Sequence, residues 1–185
     1  MVTRDDVLDR ALRHLNVDPT ASMGAIAEAA GVSRATVHRH FDSREALVRE
    51  LCDRSLDRWE ESQVAAGIVA ATTAQDAELC RAALDRLISA YVDDAEDFGF
   101  ALTDCFIDVD PDLRSRTETL FELDIAFLVT AQEQGVVRRD LPARWLGHTL
   151  YGLSVAARDA LRNGDVARRD LDAMVRTTFL DGASA

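Results

Sequence analysis

Hydrophobic residues recur at helical spacing along almost the whole chain, whereas the alternating pattern typical of β-strands is scarce. Only three prolines and nine glycines interrupt the 185 residues. The sequence therefore predicts an all-α fold of about nine helices. The predicted helices cover approximately residues 4–15, 23–30, 34–41, 44–64, 76–95, 97–108, 114–134, 142–163 and 168–180, with a linker at residues 71–74.

Three serines mark predicted helix starts in the first fifty residues. Ser22, Ser33 and Ser43 each precede a hydrophobic pattern, and a serine hydroxyl can accept a hydrogen bond from a free amide at a helix start. Gly31 follows the second predicted helix directly, where glycine readily takes the left-handed conformation that ends a helix. Two short helices joined by a tight turn indicate a helix-turn-helix.

The third predicted helix has a buried face and an exposed face. Val37 and Phe41 lie four residues apart and are expected to pack against Ile26 and Ala27 of the preceding helix. The opposite face carries small, hydroxyl-bearing and basic side chains, which are those of Ala35, Thr36, His38 and Arg39.

That exposed face has the chemistry needed to read the major groove of DNA. A small residue lets the helix approach closely, Thr36 can donate, accept or contact a thymine methyl group, and Arg39 can pair with guanine. The Ser33 hydroxyl and the amides at the helix start suit phosphate oxygens. His40 and Arg44 flank the face and are expected to bracket the DNA backbone.

Basic residues alone would fit a merely solvated surface helix, but the core spacing, the turn glycine, the serine cap and the nearly acid-free face together favour DNA binding. The formal net charge of the chain is −12, yet residues 1–50 hold seven arginines against eight acids. Residues 33–44 hold three arginines, two histidines and a single acid, Asp42. Because phosphate repels carboxylates, a nearly acid-free surface is expected where DNA binds, and acidity elsewhere discourages non-specific binding.

The stretch IAEAAGVSRATVHRHFDSREALVREL, residues 26–51, resembles the DNA-binding segment of the TetR family of transcriptional repressors. The resemblance implies a helix-turn-helix DNA-binding domain at residues 1–45 and a helical ligand-binding and dimerisation domain at residues 46–185. It also implies a homodimeric transcriptional regulator, a repressor that a small-molecule effector releases from a pseudo-palindromic operator in double-stranded DNA.

The resemblance implies roles for individual residues on and around the third helix. The bases are expected to be contacted by Arg34, Ala35, Thr36 and Arg39. The phosphates are expected to be contacted by Ser33, His38, His40 and Arg44. The family usually has tyrosine where this chain has His38. Since histidine can carry a charge, operator binding is expected to weaken as the pH rises through about 6 to 8.

Asp124 is the most informative polar residue of the second part, because it interrupts an apolar stripe on the helix predicted at 114–134. A buried lone carboxylate is costly unless it is paired or hydrogen-bonded. A salt bridge to an arginine, a polar contact in a ligand cavity and surface exposure are all open. Several aromatic residues are expected either to fill the core or to line such a cavity with Asp124, namely Trp59, Phe98, Phe100, Phe106, Phe121 and Trp145.

The helix predicted at 142–163 has small residues beside leucines, a pattern that suits either an internal core helix or a subunit interface. Small side chains allow two helix backbones to approach closely, and a twofold axis would space two reading helices about 34 Å apart for successive major grooves. The family resemblance favours a dimer interface formed by Leu146, Leu150, Gly152, Leu153 and Ala156.

The sequence gives no support to membrane proteins or to enzymes. No apolar run reaches the roughly 18 residues of a membrane span, and the N-terminus resembles neither a signal nor a transit peptide, so a cytoplasmic protein with no membrane partner is expected. No nucleophile–base pair, phosphate loop or metal-ligand spacing appears, so no enzyme activity, cofactor or metal is expected. The alternative is a helical enzyme or small-molecule carrier with an incidental helix-turn-helix.

Overall fold

The structure is a computed structural model that describes residues 2–102 and 109–183, and these ranges contain nine α-helices. The prediction of an all-α fold is confirmed. None of the described helices is long and apolar enough to cross a lipid bilayer. The helices are α1 Arg4–Leu15, α2 Met23–Ala29, α3 Arg34–His40, α4 Arg44–Ala66, α5 Ile68–Ala74, α6 Ala77–Asp97, α7 Pro111–Glu133, α8 Ala143–Asn163 and α9 Arg168–Ala183.

The predicted serine caps are present at the starts of α2, α3 and α4. The side chains of Ser22, Ser33 and Ser43 each accept a hydrogen bond from the backbone amide three residues later. Each cap satisfies an amide that has no partner within its helix. Gly31 has a φ of 65°, the left-handed conformation expected after α2. Local chemistry therefore sets the limits of the first short helices.

The first of two apolar clusters holds α1, α2 and α3 against the N-terminal half of α4. It also includes side chains from beyond the first fifty residues, namely Phe100, Ala101, Leu113 and Leu120. The first three helices therefore share one core with α4 and with the start of α7.

The second apolar cluster is formed by α5 to α9. Its fully buried members include Leu84, Leu87 and Ile88 of α6, Phe127 of α7 and Phe179 of α9. Helix α4 packs against α6 and α7, so it borders both clusters. Helix α4 therefore connects the two clusters.

A hydrogen-bonded clamp joins the end of α1 to the end of α6. The Asn16 Nδ2 group donates to the carbonyls of Asp97 at 2.8 Å and Glu96 at 3.3 Å, and Asn16 Oδ1 accepts from the Phe100 amide at 3.0 Å. One side chain thus satisfies backbone groups at a distant helix C-terminus, where carbonyls otherwise lack partners.

Two predicted segments differ from the structure. Residues 71–74, predicted as a linker, belong to helix α5, because Gly67 turns the chain with a φ of 77° and the side chains of Ile68 and Ala71 are buried. The predicted helix at 97–108 does not begin as expected, since α6 continues to Asp97 and residues 98–102 form turns. Residues 103–108 lie outside the described residues.

Candidate nucleic-acid interface

Helix α3 is anchored by the two side chains that the sequence pattern assigned to its inner face. Val37 is 0% exposed and Phe41 is 2% exposed, and both share an apolar cluster with Ile26 and Ala27. The turn after α2 is closed by the Val32 amide, which donates to the Ala27 carbonyl at 3.0 Å. The predicted packing of α3 against α2 is confirmed.

The opposite face of α3 is open to solvent. The Thr36 side chain is half-buried, and its hydroxyl lies 2.9 Å from the Ser33 hydroxyl. This contact orients the Thr36 hydroxyl while leaving it further hydrogen-bonding capacity. The exposed residues of this face are Ser33, Arg34, Ala35, His38 and Arg39.

Arg34 and Arg39 have no carboxylate or carbonyl partner among the described residues. By contrast, Arg4 is paired with Glu50, and Arg49 Nε donates to Asp110 Oδ2 at 2.8 Å. The guanidinium of Arg34 lies against the start of α2. Both cations of α3 are thus available to an anionic or hydrogen-bond-accepting partner, as DNA recognition requires.

His40 and Arg44 are more enclosed than the other predicted phosphate contacts. Arg44 Nε donates to the Ala21 carbonyl at 2.9 Å, and Arg44 Nη2 donates to the Pro19 carbonyl at 2.5 Å. The Nε2 atom of His40 is buried and has no hydrogen-bond partner among the described residues. Arg44 therefore ties the segment between α1 and α2 to the start of α4, a role that its sequence position does not indicate.

Asp124 lies in the interior, where neutral groups bind its carboxylate. The side chain is 5% exposed. Gln63 Nε2 donates to Oδ1 at 2.8 Å, the Tyr91 hydroxyl donates to Oδ2 at 2.6 Å, and Trp59 Nε1 donates to the Tyr91 hydroxyl at 2.6 Å. Burial raises the pKa of Asp124 to about 6, although these hydrogen bonds oppose the rise.

The structure excludes two of the three alternatives that the sequence left open for Asp124. No arginine of the described residues pairs with it, so the salt-bridge interpretation is wrong, and its burial excludes surface exposure. Asp94 on α6 makes the contrasting arrangement, since Arg58 Nε donates to its Oδ1 and the Ser62 hydroxyl to its Oδ2, both at 2.6 Å. Burial raises the pKa of Asp94, and the hydrogen bonds from Ser62 and Arg58 oppose that rise.

The predicted cavity aromatics have different environments. Phe98 and Phe121 are half-buried, Phe100 is buried, and Phe106 lies outside the described residues. Trp59 is half-buried and belongs to the Asp124 network. Trp145 is 60% exposed because α8 turns its neighbours Leu146 and Gly147 toward the core, so Trp145 does not line an enclosed site.

The residues predicted for a dimer interface divide between the two sides of α8. Leu146 and Leu150 are each 2% exposed and belong to the second apolar cluster of their own chain. Leu153 is half-buried, while Gly152 and Ala156 are exposed. Within the single chain, the two leucines therefore pack inward, and Gly152 and Ala156 lie on the outer side of α8.

Sequence reasoning missed three residues that shape these sites. Gln63 and Tyr91 hold Asp124, and Asn16 clamps α1 to α6. One signal for Gln63 is its position four residues after Trp59, which places both side chains on one face of α4. Nothing in the sequence indicates that α4, α6 and α7 meet around Asp124.

Comparison with known proteins agrees with this geometry. A family model described as "Bacterial regulatory proteins, tetR family" matches residues 8–51. The chain is 32% identical over 187 residues to the HTH-type transcriptional regulator NfxB of Pseudomonas aeruginosa, covering 100% of this chain and 96% of NfxB. It is 29% identical over 178 residues to the HTH-type transcriptional repressor LfrR of Mycolicibacterium smegmatis, covering 94% of this chain and 86% of LfrR.

The crystal structure of LfrR in complex with proflavine has the same fold, with a TM-score of 0.76 and 27% identity over 97% of this chain and 94% of LfrR. The match to the family model falls on the helix-turn-helix, and the match to NfxB extends along the whole chain. The chain therefore belongs to the TetR family of bacterial regulatory proteins and is a DNA-binding transcriptional regulator.

Proposed function

We propose that the chain is a repressor whose homodimer reads a pseudo-palindromic operator through one α3 helix from each subunit. The observation that carries this proposal is the exposed face of α3, where Arg34 and Arg39 have no partner within the described residues. Residues 1–45 would form the DNA-reading unit, and residues 46–185 would form the sensing and dimerisation unit.

The exposed side chains of α3 suit different contacts with the duplex. Arg34, Thr36 and Arg39 carry the donors and acceptors that read base edges, and Ala35 allows the helix backbone to approach them. The Ser33 hydroxyl and the His38 ring are exposed and suit phosphate oxygens. His40 and Arg44 would contact phosphate only through the donors that the fold leaves available, in keeping with their more enclosed positions.

A dimer is needed because one seven-residue helix gives a small contact with DNA. Gly152 and Ala156 on the outer side of α8 allow close approach of a second copy. The exposed Trp145 on the same helix, at 60%, and Met174 on α9, at 50%, supply apolar surface nearby. A twofold axis at this surface would place the two α3 helices for successive major grooves.

Release from DNA would follow from binding of a small molecule near Asp124. LfrR has been crystallised with proflavine, which supports a ligand-responsive role for this chain. Helix α4 begins three residues after Phe41 and carries Gln63 near its other end, so movement at Gln63 changes the placement of α3. The coupling is reciprocal, since a ligand that weakens DNA binding is itself bound less tightly by the DNA complex.

Selection of bound sequences from random DNA, followed by footprinting, tests the proposal. We expect a pseudo-palindrome and an affinity that falls steeply with salt concentration. The double variant T36A/R39A should lose about 100-fold in operator affinity, given about 1–3 kcal/mol for each base contact. The matched double variant T73A/R81A, on α5 and α6, should retain operator affinity. Equal affinity for operator and random DNA would remove the repressor proposal.

A further inference from the structure

We propose that Asp124 and Gln63 form the recognition point for a cationic ligand with at least two N–H donors, such as an amidinium, a guanidinium or a protonated aromatic amine. The inference rests on the proposed effector response, because it assigns a chemical class to the effector and names the groups that bind it.

The first observation is the uncompensated charge of Asp124. Its carboxylate is 5% exposed, and its described partners are an amide and a phenol, neither of which carries a positive charge. A carboxylate buried in this way binds a cation more strongly than an exposed one does, because little water screens the interaction. A neutral ligand would leave the charge uncompensated.

The second observation is an acceptor on Gln63 with no partner. Gln63 is 2% exposed, and its Nε2 group donates to both the Leu120 carbonyl and Asp124 Oδ1, each at 2.8 Å. Because both amide hydrogens already have acceptors, rotating the amide by 180° would place its oxygen against two other oxygens. The atom left over is therefore Oε1, which is buried and has no donor among the described residues.

These two groups together select the ligand. The Gln63 side chain has an oxygen, Oε1, that lacks a donor, and its nitrogen, Nε2, donates to the carboxylate of Asp124. A ligand can therefore donate one N–H group to Gln63 Oε1 and another to Asp124. Amidinium and guanidinium ions present parallel N–H groups on a planar cation, which is the complement of such a pair. A carboxylate ligand would be repelled by Asp124, and a purely apolar ligand would leave Oε1 without a donor.

Two half-buried aromatic rings adjoin this pair at the border of the two apolar clusters. Trp59 packs against the first cluster and Tyr91 against the second, and both are half-buried. Their rings meet edge to face, with centroids 6.4 Å apart and an interplanar angle of 80°. A planar cation that replaced the Tyr91 hydroxyl at Asp124 could contact both of these aromatic surfaces.

Asp94 provides an internal comparison. It is also largely enclosed and bonded to α4, but Arg58 already neutralises it at 2.6 Å. The cation preference should therefore depend on Asp124 and Gln63 and be insensitive to Asp94.

The test uses benzamidine, its neutral isostere benzamide, and benzoate as probes of the full-length protein without DNA. Calorimetric titration of the unsubstituted chain with each probe measures binding. We expect benzamidine to bind about tenfold or more tightly than benzamide, with benzoate weakest, because the charged contact strengthens the hydrogen bonds. Asp124→Asn should reduce the preference to within about twofold, whereas Asp94→Asn should preserve it.

A second variant keeps the test decisive if Asp124→Asn is poorly folded. Gln63→Met removes the unpaired acceptor without altering charge, and it should weaken benzamidine binding more than benzamide binding. Absent binding, equal affinity for benzamidine and benzamide, or a preference that survives both substitutions would overturn the inference. Operator binding is measured on the same samples. If the protein binds its operator but shows no cation preference, the proposed function stands and only the cation-recognition inference is overturned.

Discussion

Asn16, the residue that follows α1, donates a hydrogen bond to the carbonyl of Asp97, the last residue of α6, at 2.8 Å. The same side chain accepts from the Phe100 amide, so it links the DNA-reading helices directly to the end of a helix that also carries Tyr91. This link provides a second connection between the two parts of the molecule, in addition to α4.

Substitution of Asn16 by alanine should therefore loosen the connection between α1 and α6. Loss of the clamp should lower the free energy of unfolding by about 1–3 kcal/mol, because backbone groups near the end of α6 lose their partners. Thermal unfolding measures this, and Asn163→Ala at the end of α8 is the matched control. Identical melting temperatures for N16A and N163A would contradict a structural role for the clamp.

Asp124→Asn should make stability less sensitive to pH. The folded-state pKa of Asp124 is about 6, above the ordinary value of 3.8, so folding favours its protonated form. Well below pH 4, Asp124 is protonated in both the folded and the unfolded protein. As the pH rises from about 4 toward 6, Asp124 ionises more readily in the unfolded protein, so the free energy of unfolding falls. The wild type should thus lose up to about 3 kcal/mol relative to D124N between pH 4 and pH 7. Urea unfolding at several pH values measures the difference, and a constant difference would contradict the assignment.

Gly147→Ala should destabilise the contact between α7 and α8. A Cβ atom at Gly147 would lie 2.8 Å from Ile125 Cδ1 and 3.1 Å from Phe121 Cε2, which is too close without repacking. The expected loss of unfolding free energy is about 1–3 kcal/mol. Gly182→Ala, where a Cβ would meet nothing within 4 Å, should be close to neutral. Equal melting temperatures for the two variants would show that α7 and α8 adjust without cost.

Arg44 and Arg39 should respond to alanine substitution in opposite ways. Arg44→Ala removes the donors to the Pro19 and Ala21 carbonyls, so stability should fall by about 1–3 kcal/mol. Arg39→Ala should leave the melting temperature nearly unchanged but weaken operator binding by about 10-fold or more. Calorimetry and DNA titration on both proteins test this pairing, and a large stability loss in R39A would show an unrecognised structural contact.

The sequence predicted features that depend on neighbouring residues. The caps at Ser22, Ser33 and Ser43 and the inner face of α3 require only a few residues along the chain, and all are present. Helix α5 was missed because the segment Ala-Thr-Thr-Ala has weak helical signals. Its stability comes from burial of Ile68 and Ala71 against distant helices.

The environment of Asp124 depends on residues that are far apart in the chain. The spacing on α7 predicts that the carboxylate faces the interior, but its partners Gln63 and Tyr91 come from two other helices. Arg44 shows the same limit, since its bonds to Pro19 and Ala21 arise only when α4 folds back against the segment after α1. Charge and position alone cannot distinguish such an arginine from one that contacts DNA.

The absence of internal partners for Arg34 and Arg39 within the described residues has an evolutionary consequence. Because no salt bridge of the described residues depends on them, and if they read bases as proposed, mutation at these positions would alter which promoters are recognised without weakening the scaffold. Gene duplicates of such a regulator could then acquire new regulons through few substitutions, with the remaining helices unchanged.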